Sequence, residues 1–503
     1  MPRRPSHSTF RAFSLDPSSG EPLHRQLYDE MRRAILNGRI APGSRLPASR
    51  ELANVSRVSR NTVLSAYEQL LAEGYIHSRP GSGTFVAEAV PESFVPEPAA
   101  PVAPADGTPA PRPLSQRARR TAALTMRLLA SPAGSAFRPG LPALDHFPMD
   151  VMRRIADRRL RRASVRMLAY GEPMGYLPLR EAIAAHLSAS RGARCDPSRV
   201  LVVNGAQGGI ELCAQLLLDP GDTVWMEDPG YFAARWSLEL AGARIVPVPV
   251  DSAGLDVAAG VARAPGARLV YCTPSHQNPT GVTMSLARRA ALLQWARSAG
   301  AWVVEDDNAS EYRYQGRPLA ALQGIDPADR VIYVGTFNKV LFSSLRVGYM
   351  VLPADLVEVF TRAHYAGSRG TNALAQGILA DFVNEGHFAR HLRRMRTLYA
   401  ARMAALERAI EGCAADVLEL RPIEGGLNRL AMLPPGVDDT EVAREAGREG
   451  LHAVPLSNYS IAPIARGGLV LGFAGADEAE IRRGVERLAV VIRARLRRGP
   501  GSA

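Results

Sequence analysis

The chain has 503 residues, 46% hydrophobic and 22% charged, with a formal net charge of +12. That length exceeds one ordinary domain and allows a large buried core, and the basic balance suits a nucleic-acid partner. No apolar run approaches the roughly 20 residues that span a bilayer, and Met1-Pro2-Arg3-Arg4-Pro5 leads into polar residues rather than a signal core, so the composition excludes a membrane protein and a cytoplasmic one is expected. Cysteines at 195, 213, 272 and 413 have no CxxC spacing, which argues against a zinc site and a disulfide framework.

The first predicted helix places Leu23, Leu27, Met31 and Ile35 four residues apart and stops at Asn37-Gly38. A short second helix starts at Ser49. The third starts at Ser59, a favourable N-cap, and turns Val63, Tyr67, Leu70 and Leu71 inward until Gly74. Strands Tyr75–Ser78 and Thr84–Val86 then flank Arg79-Pro80-Gly81-Ser82-Gly83, which completes a winged helix-turn-helix. With Arg45-Leu46-Pro47-Ala48-Ser49-Arg50-Glu51-Leu52-Ala53, Val58-Ser59-Arg60-Asn61-Thr62-Val63 and Gly81-Ser82-Gly83-Thr84-Phe85-Val86, residues 22–88 resemble the GntR-type DNA-binding domain. The resemblance implies that Ser59, Arg60, Asn61 and Thr62 meet the major groove of double-stranded operator DNA, that Arg50 supports them, and that Gly81 meets the backbone or minor groove. Arginine suits bidentate reading of guanine, and first-turn N–H groups suit phosphate. Ser56-Arg57 stands where the family has Leu-Gly, and a loosened packing contact is expected there.

Domain 1–88 is followed by an expected linker over 89–133, with prolines at 91, 96, 98, 101, 104, 109, 111 and 113. Residues 112–166 hold 13 Arg against 3 Asp, while residues 1–88 hold 12 Arg against 8 acidic residues. Most of the excess charge thus lies outside the predicted reader, on either a solvated surface or one that adds phosphate contacts.

From 134 to 503 strands and helices alternate. Val200–Val203, Thr223–Met226, Arg244–Val248, Leu269–Cys272, Trp302–Glu305 and Val331–Val334 are nearly continuous apolar runs, as in a mostly parallel sheet covered on both faces. The runs end on Asn204-Gly205-Ala206-Gln207-Gly208-Gly209, Glu227-Asp228-Pro229-Gly230-Tyr231, Ser275-His276-Gln277-Asn278-Pro279-Thr280-Gly281, Glu305-Asp306-Asp307 and Thr336-Phe337-Asn338-Lys339. Lys339 is the single lysine among 61 Lys+Arg. Arginine replaces lysine wherever only charge is needed, but it cannot lose its proton and attack a carbonyl. A Schiff-base role is the one this composition could not give to arginine.

In order and spacing these motifs, with Ser344-Leu345-Arg346-Val347-Gly348-Tyr349, resemble the fold-type I aminotransferases that use pyridoxal 5'-phosphate. The resemblance implies an α/β fold with a smaller C-terminal α/β domain. In it Lys339 forms the Schiff base, Asp306 pairs with the pyridine nitrogen, Asn278 bonds the ring hydroxyl and Tyr231 stacks on the ring. Phosphate falls to the backbone of Ala206 and Gln207, to Thr336 and Arg346, and to Tyr170 of a neighbouring subunit, which requires a homodimer. A GntR-type reader joined to such a domain resembles the MocR/GabR-type transcriptional regulators. The function implied is sensing of an amine, an amino acid or the cofactor itself, the alternative being a working aminotransferase with a DNA reader attached. Three positions depart from the pattern: Asn308 replaces a tyrosine, Asn428 a histidine, and Val470 the arginine that clamps a substrate carboxylate. Arg466 is the nearest substitute for that clamp, and efficient turnover is not expected.

Overall fold

The computed structural model describes residues 13, 15–89, 113–124, 136–314, 316 and 319–498. The chain forms two compact units, Met1–Pro113 and Leu114–Ala503.

In the first unit, helices Leu23–Leu36, Ser49–Ser56 and Arg60–Ala72 precede β1 (Ile76–Arg79) and β2 (Gly83–Val86), paired antiparallel from Ile76↔Val86 to Arg79↔Gly83. Leu27, Met31, Ile35, Leu52, Val63, Leu70, Tyr75 and Val86 form the core. Ser59 caps as predicted, its Oγ accepting the Thr62 N–H at 3.1 Å. The inward face of the third helix is corrected at one position. Ala66 is buried and Leu71 is 45% exposed, because 63, 66 and 70 share a face and 71 lies about 100° beyond 70. The Ser56-Arg57 departure also acts differently from expectation. Arg57 closes the helix with φ +56°, its N–H donating to the Ala53 carbonyl, so the cost is in backbone conformation.

In the second unit, β3 (Val200–Val203), β4 (Thr223–Asp228), β5 (Arg244–Asp251), β6 (Gly254–Leu255), β7 (Leu269–Cys272), β8 (Trp302–Asp307), β9 (Val331–Thr336) and β10 (Gly348–Val351) form one sheet. Its order is β3-β10-β9-β8-β7-β4-β5-β6. Strands β9, β8, β7, β4 and β5 run parallel, while β10 lies antiparallel between β3 and β9. One face packs Ile210, Leu217, Met226, Tyr271 and Val334; the other packs Trp225, Val270, Leu292 and Val303. A second, antiparallel sheet contains β11 (Glu419–Leu420), β12 (Asn428–Met432), β13 (Val454–Pro455) and β14 (Gly468–Gly472) in the order β11-β12-β14-β13. It packs with helices His387–Cys413, Asp439–Arg448 and Glu478–Arg498, the smaller α/β layer that was expected.

Most of the span expected as linker, 89–133, lies outside the described residues. Its residues 116–122 form a helix, capped by the Ser115 Oγ and joined by an Arg117 Nε bond to the Leu240 carbonyl at 3.4 Å. The second unit therefore begins before the expected 134, because the proline-rich composition ends at Pro113 and an arginine-alanine run follows.

Arg57→Gly should stabilise the first unit by about 1 kcal/mol, since glycine adopts the left-handed region without the side-chain penalty. Thermal unfolding of the full chain should show this as an upward shift in the reader's transition.

Candidate functional site

Period two along β8 divides its three acids between the faces of the sheet. Glu305 accepts the N–H groups of Leu322 and Gln323 at 2.8 and 2.9 Å. Asp307 pairs with Arg191 at 2.9 Å and accepts the Tyr333 hydroxyl at 2.6 Å. These two acids are fixed within the fold. Asp306 points the other way, into a cavity of about 570 Å³ that Lys339 also lines. The Tyr271 hydroxyl donates to Asp306 Oδ2 at 2.6 Å, while Oδ1 is buried without a hydrogen-bond partner. Burial raises the Asp306 carboxyl to about 6, against the pull of Tyr271 and Lys339. Lys339 Nζ donates to the Gly140 carbonyl at 3.0 Å. Its pKa falls below that of an ordinary lysine through desolvation; Asp306 opposes the fall and the Arg138 guanidinium adds to it.

An anion cradle adjoins this pair. Helix Gly205–Leu217 starts at the end of β3 with no side-chain cap, so its first N–H groups open on the cavity. The register Gly348↔Val203 and Gly348↔Thr336 sets the entry to β10 beside them and brings Arg346 to the same edge. The approach is close: a Cβ on Gly348 would lie 2.5 Å from the Gly205 carbonyl carbon. Arg346 donates to the Asn204 carbonyl at 3.2 Å, and Thr336 Oγ1 accepts the Asn338 N–H at 3.2 Å.

The fold thus gathers Ala206, Gln207, Tyr231, Asn278, Asp306, Thr336, Lys339 and Arg346 around one cavity. Tyr170 is not among them: it is 78% exposed and lines a separate groove with Arg158, Tyr176 and Gln376. Of the departures, Asn308 lines the cavity, Asn428 Oδ1 accepts the Gly140 N–H at 2.5 Å, and Val470 is buried against Leu430, Leu456 and Tyr459. Arg466 does not serve as the substitute clamp. It bonds Glu419 at 2.6 Å and the Leu433 carbonyl at 2.5 Å and does not line the cavity. Sequence reasoning missed Tyr271, Arg138 and Gly140. A tyrosine inside an otherwise apolar strand was a readable signal for the first, because a buried hydroxyl needs a partner.

In the first unit, Ser59, Arg60, Asn61 and Arg50 are exposed, and Arg60 Nε donates to Ser49 Oγ at 3.2 Å. Thr62 shares its hydroxyl with Ser59 at 2.8 Å, and Gly81 has φ +74° with open space where a Cβ would be. In the arginine-rich segment, Arg158 and Arg159 both bond Asp381, and Arg153 lies 3.7 Å from Asp157. Part of that charge is neutralised within the fold. Among the described residues no cluster of His, Cys, Asp or Glu could hold a metal, and no helix is long and apolar enough to cross a membrane.

Comparison with known proteins gives two family matches: bacterial regulatory proteins of the gntR family over residues 23–86, and aminotransferase class I and II over 142–488. The chain is 40% identical to the probable rhizopine catabolism regulatory protein MocR of Rhizobium meliloti, covering 94% of each. It is 32% identical to the pyridoxine biosynthesis transcriptional regulator PdxR of Corynebacterium glutamicum, covering 93% of this chain and 96% of that one. Among solved structures it resembles the α-aminoadipate aminotransferase LysN of Thermus thermophilus, complexed with N-(5'-phosphopyridoxyl)-L-leucine. The TM-score is 0.69 at 29% identity, over 77% of this chain and 98% of that one.

The raised Asp306 carboxyl sets a pH dependence. Below about pH 4 the group is protonated folded or unfolded, and above about 6 the fold holds a buried charge that the unfolded chain solvates. Asp306→Asn should therefore stabilise the cofactor-free protein by up to roughly 3 kcal/mol above pH 7, with the gain vanishing toward pH 4. Denaturant titrations at several pH values check the trend.

Proposed function

The chain belongs to the MocR-type transcriptional regulators, which join a gntR-family DNA-binding domain to a class I and II aminotransferase domain, and we propose that it binds pyridoxal 5'-phosphate at Lys339 and regulates transcription in response to a small amine or the cofactor. The observation that carries this reading is the buried, unpartnered Oδ1 of Asp306 facing the cavity that holds the chain's single lysine. A buried carboxylate oxygen without a donor is costly unless a ligand supplies one.

The residues present fit the cofactor. Asp306 Oδ1 would accept the ring N–H, with Tyr271 holding the other oxygen so that the carboxylate cannot rotate away. Asn278 and Tyr231 would hold the ring, and the uncapped turn at Ala206 and Gln207 would hold phosphate together with Thr336 and Arg346. Bound there, the cofactor supplies an aldehyde carbon at which Lys339 can be exchanged for the amino group of a small molecule. Desolvation favours the neutral, nucleophilic amine of Lys339, and the Gly140 carbonyl fixes where that amine points.

Val470 supports sensing over turnover, since an apolar core residue occupies the place of a bidentate clamp. Assembly follows from Tyr170. Val165, Leu168 and Tyr170 are 85%, 76% and 78% exposed around one short helix, an apolar patch suited to a second copy of the chain. Such a dimer would let Tyr170 complete the partner's phosphate site and would present two readers to double-stranded DNA.

Lys339→Ala should leave a folded protein that no longer yields a borohydride-stable cofactor adduct, checked by reduction and mass measurement of the intact chain. Arg60→Ala should weaken operator binding by roughly 1–3 kcal/mol and relax selectivity at one base pair, leaving affinity for random DNA nearly unchanged. Parallel binding titrations on operator and scrambled duplexes separate the two effects.

A further inference from the structure

The cavity has a second cationic wall, built by a segment that neither the motifs nor the family pattern assigned. Residues 136–140 run along the edge of the smaller sheet. The Gly472 N–H donates to the Phe137 carbonyl at 2.9 Å, and the His452 N–H donates to the Ala136 carbonyl at 3.0 Å. At its far end Asn428 fixes the Gly140 N–H. Two features show that the position of Arg138 in this segment is enforced. Phe137 is fully buried yet has φ +70°, a conformation that a bulky residue adopts only when its surroundings impose it. Gly472 makes room: a Cβ there would lie 2.0 Å from the Arg138 carbonyl oxygen. The strained turn and the glycine together set Arg138 in the cavity wall, two residues before the carbonyl that holds Lys339 Nζ.

Two further arginines line this cavity. Arg346 stands at the anion cradle, and Arg444 pairs with Glu441. Val470, where an arginine would reach in from β14, lies two residues from the Gly472 that pairs with Phe137. Arg138 stands on the segment that bridges the end of that strand. Burial lowers the basicity of Lys339 and of His452, and the nearby Arg138 guanidinium adds to the fall in both.

We propose that Arg138 is the anion-recognising residue of the effector pocket and binds the carboxylate of an amino-acid effector whose amine is presented to the Lys339 position. This rests on the cofactor reading above and adds the class of effector.

The experiment uses the full chain loaded with pyridoxal 5'-phosphate and follows its visible absorbance on titration with L-alanine, 4-aminobutanoate and n-butylamine. In the native chain at least one of the two carboxylate-bearing amines should bind more tightly than butylamine. Arg138→Gln should weaken that binding about 10- to 100-fold, the loss of one charge-assisted pair, while butylamine binding changes far less and the cofactor is still taken up. Arg138→Lys should recover part of the loss. Equal weakening of butylamine and the amino acids, unchanged amino-acid binding, or failure of Arg138→Gln to take up cofactor would each overturn the assignment, as would a native chain that prefers butylamine. A native chain showing no cofactor absorbance before any amine is added would instead overturn the cofactor reading on which the assignment rests.

Discussion

One amine, on Lys339, and one carboxylate, on Asp306, line the same cavity, and the strands of the second unit fix where both stand. Lys339 has a carbonyl oxygen as its hydrogen-bond acceptor, whereas Asp306 has a buried oxygen with no donor. In a fold optimised only for stability such a pair would be replaced or brought into direct contact. Here the sheet brings them to adjacent strand ends, Asp306 on β8 and Lys339 just past the end of β9. Any ligand that bound there would recover part of that cost in stability.

The antiparallel β10 brings a further cationic group to the cavity that this pair lines. Wedged between β3 and β9, it brings the loop carrying Arg346 back to the carboxyl edge, beside the helix that leaves β3. The two backbones meet at Gly205 and Gly348, where no Cβ fits. The Arg346 guanidinium and the Asp306 carboxylate are thus positioned by the same sheet, so their separation depends on strand register.

Six strands of the larger sheet and the ends that carry the chemistry were legible in the sequence, because buried parallel strands are continuous apolar runs and the polar motifs begin where the runs stop. Strand β10 was not. Gly348–Val351 is short, follows a loop with no turn signature, and takes its place only through pairing with residues far away in sequence. Arg138 was invisible for the same reason. One arginine among 60 carries no signal until the contacts of residues 136–140 with β14 and Asn428 show what holds it. In the reader, the cap at Ser59 and the hairpin were plain from local chemistry. The burial of Ala66 instead of Leu71 turned on a single step of helical phase, and the left-handed Arg57 could be learned only from the backbone.

In the function proposed above, occupancy of the Lys339 site is read out at DNA. The most direct measurement is the affinity of the full-length chain for its own promoter fragment, first without cofactor, then with pyridoxal 5'-phosphate, then with amines added to the cofactor-loaded protein. The account predicts that the cofactor or an amine changes the affinity or the footprint and that Lys339→Ala abolishes the change caused by amines. Identical affinity and footprint under all three conditions would contradict it.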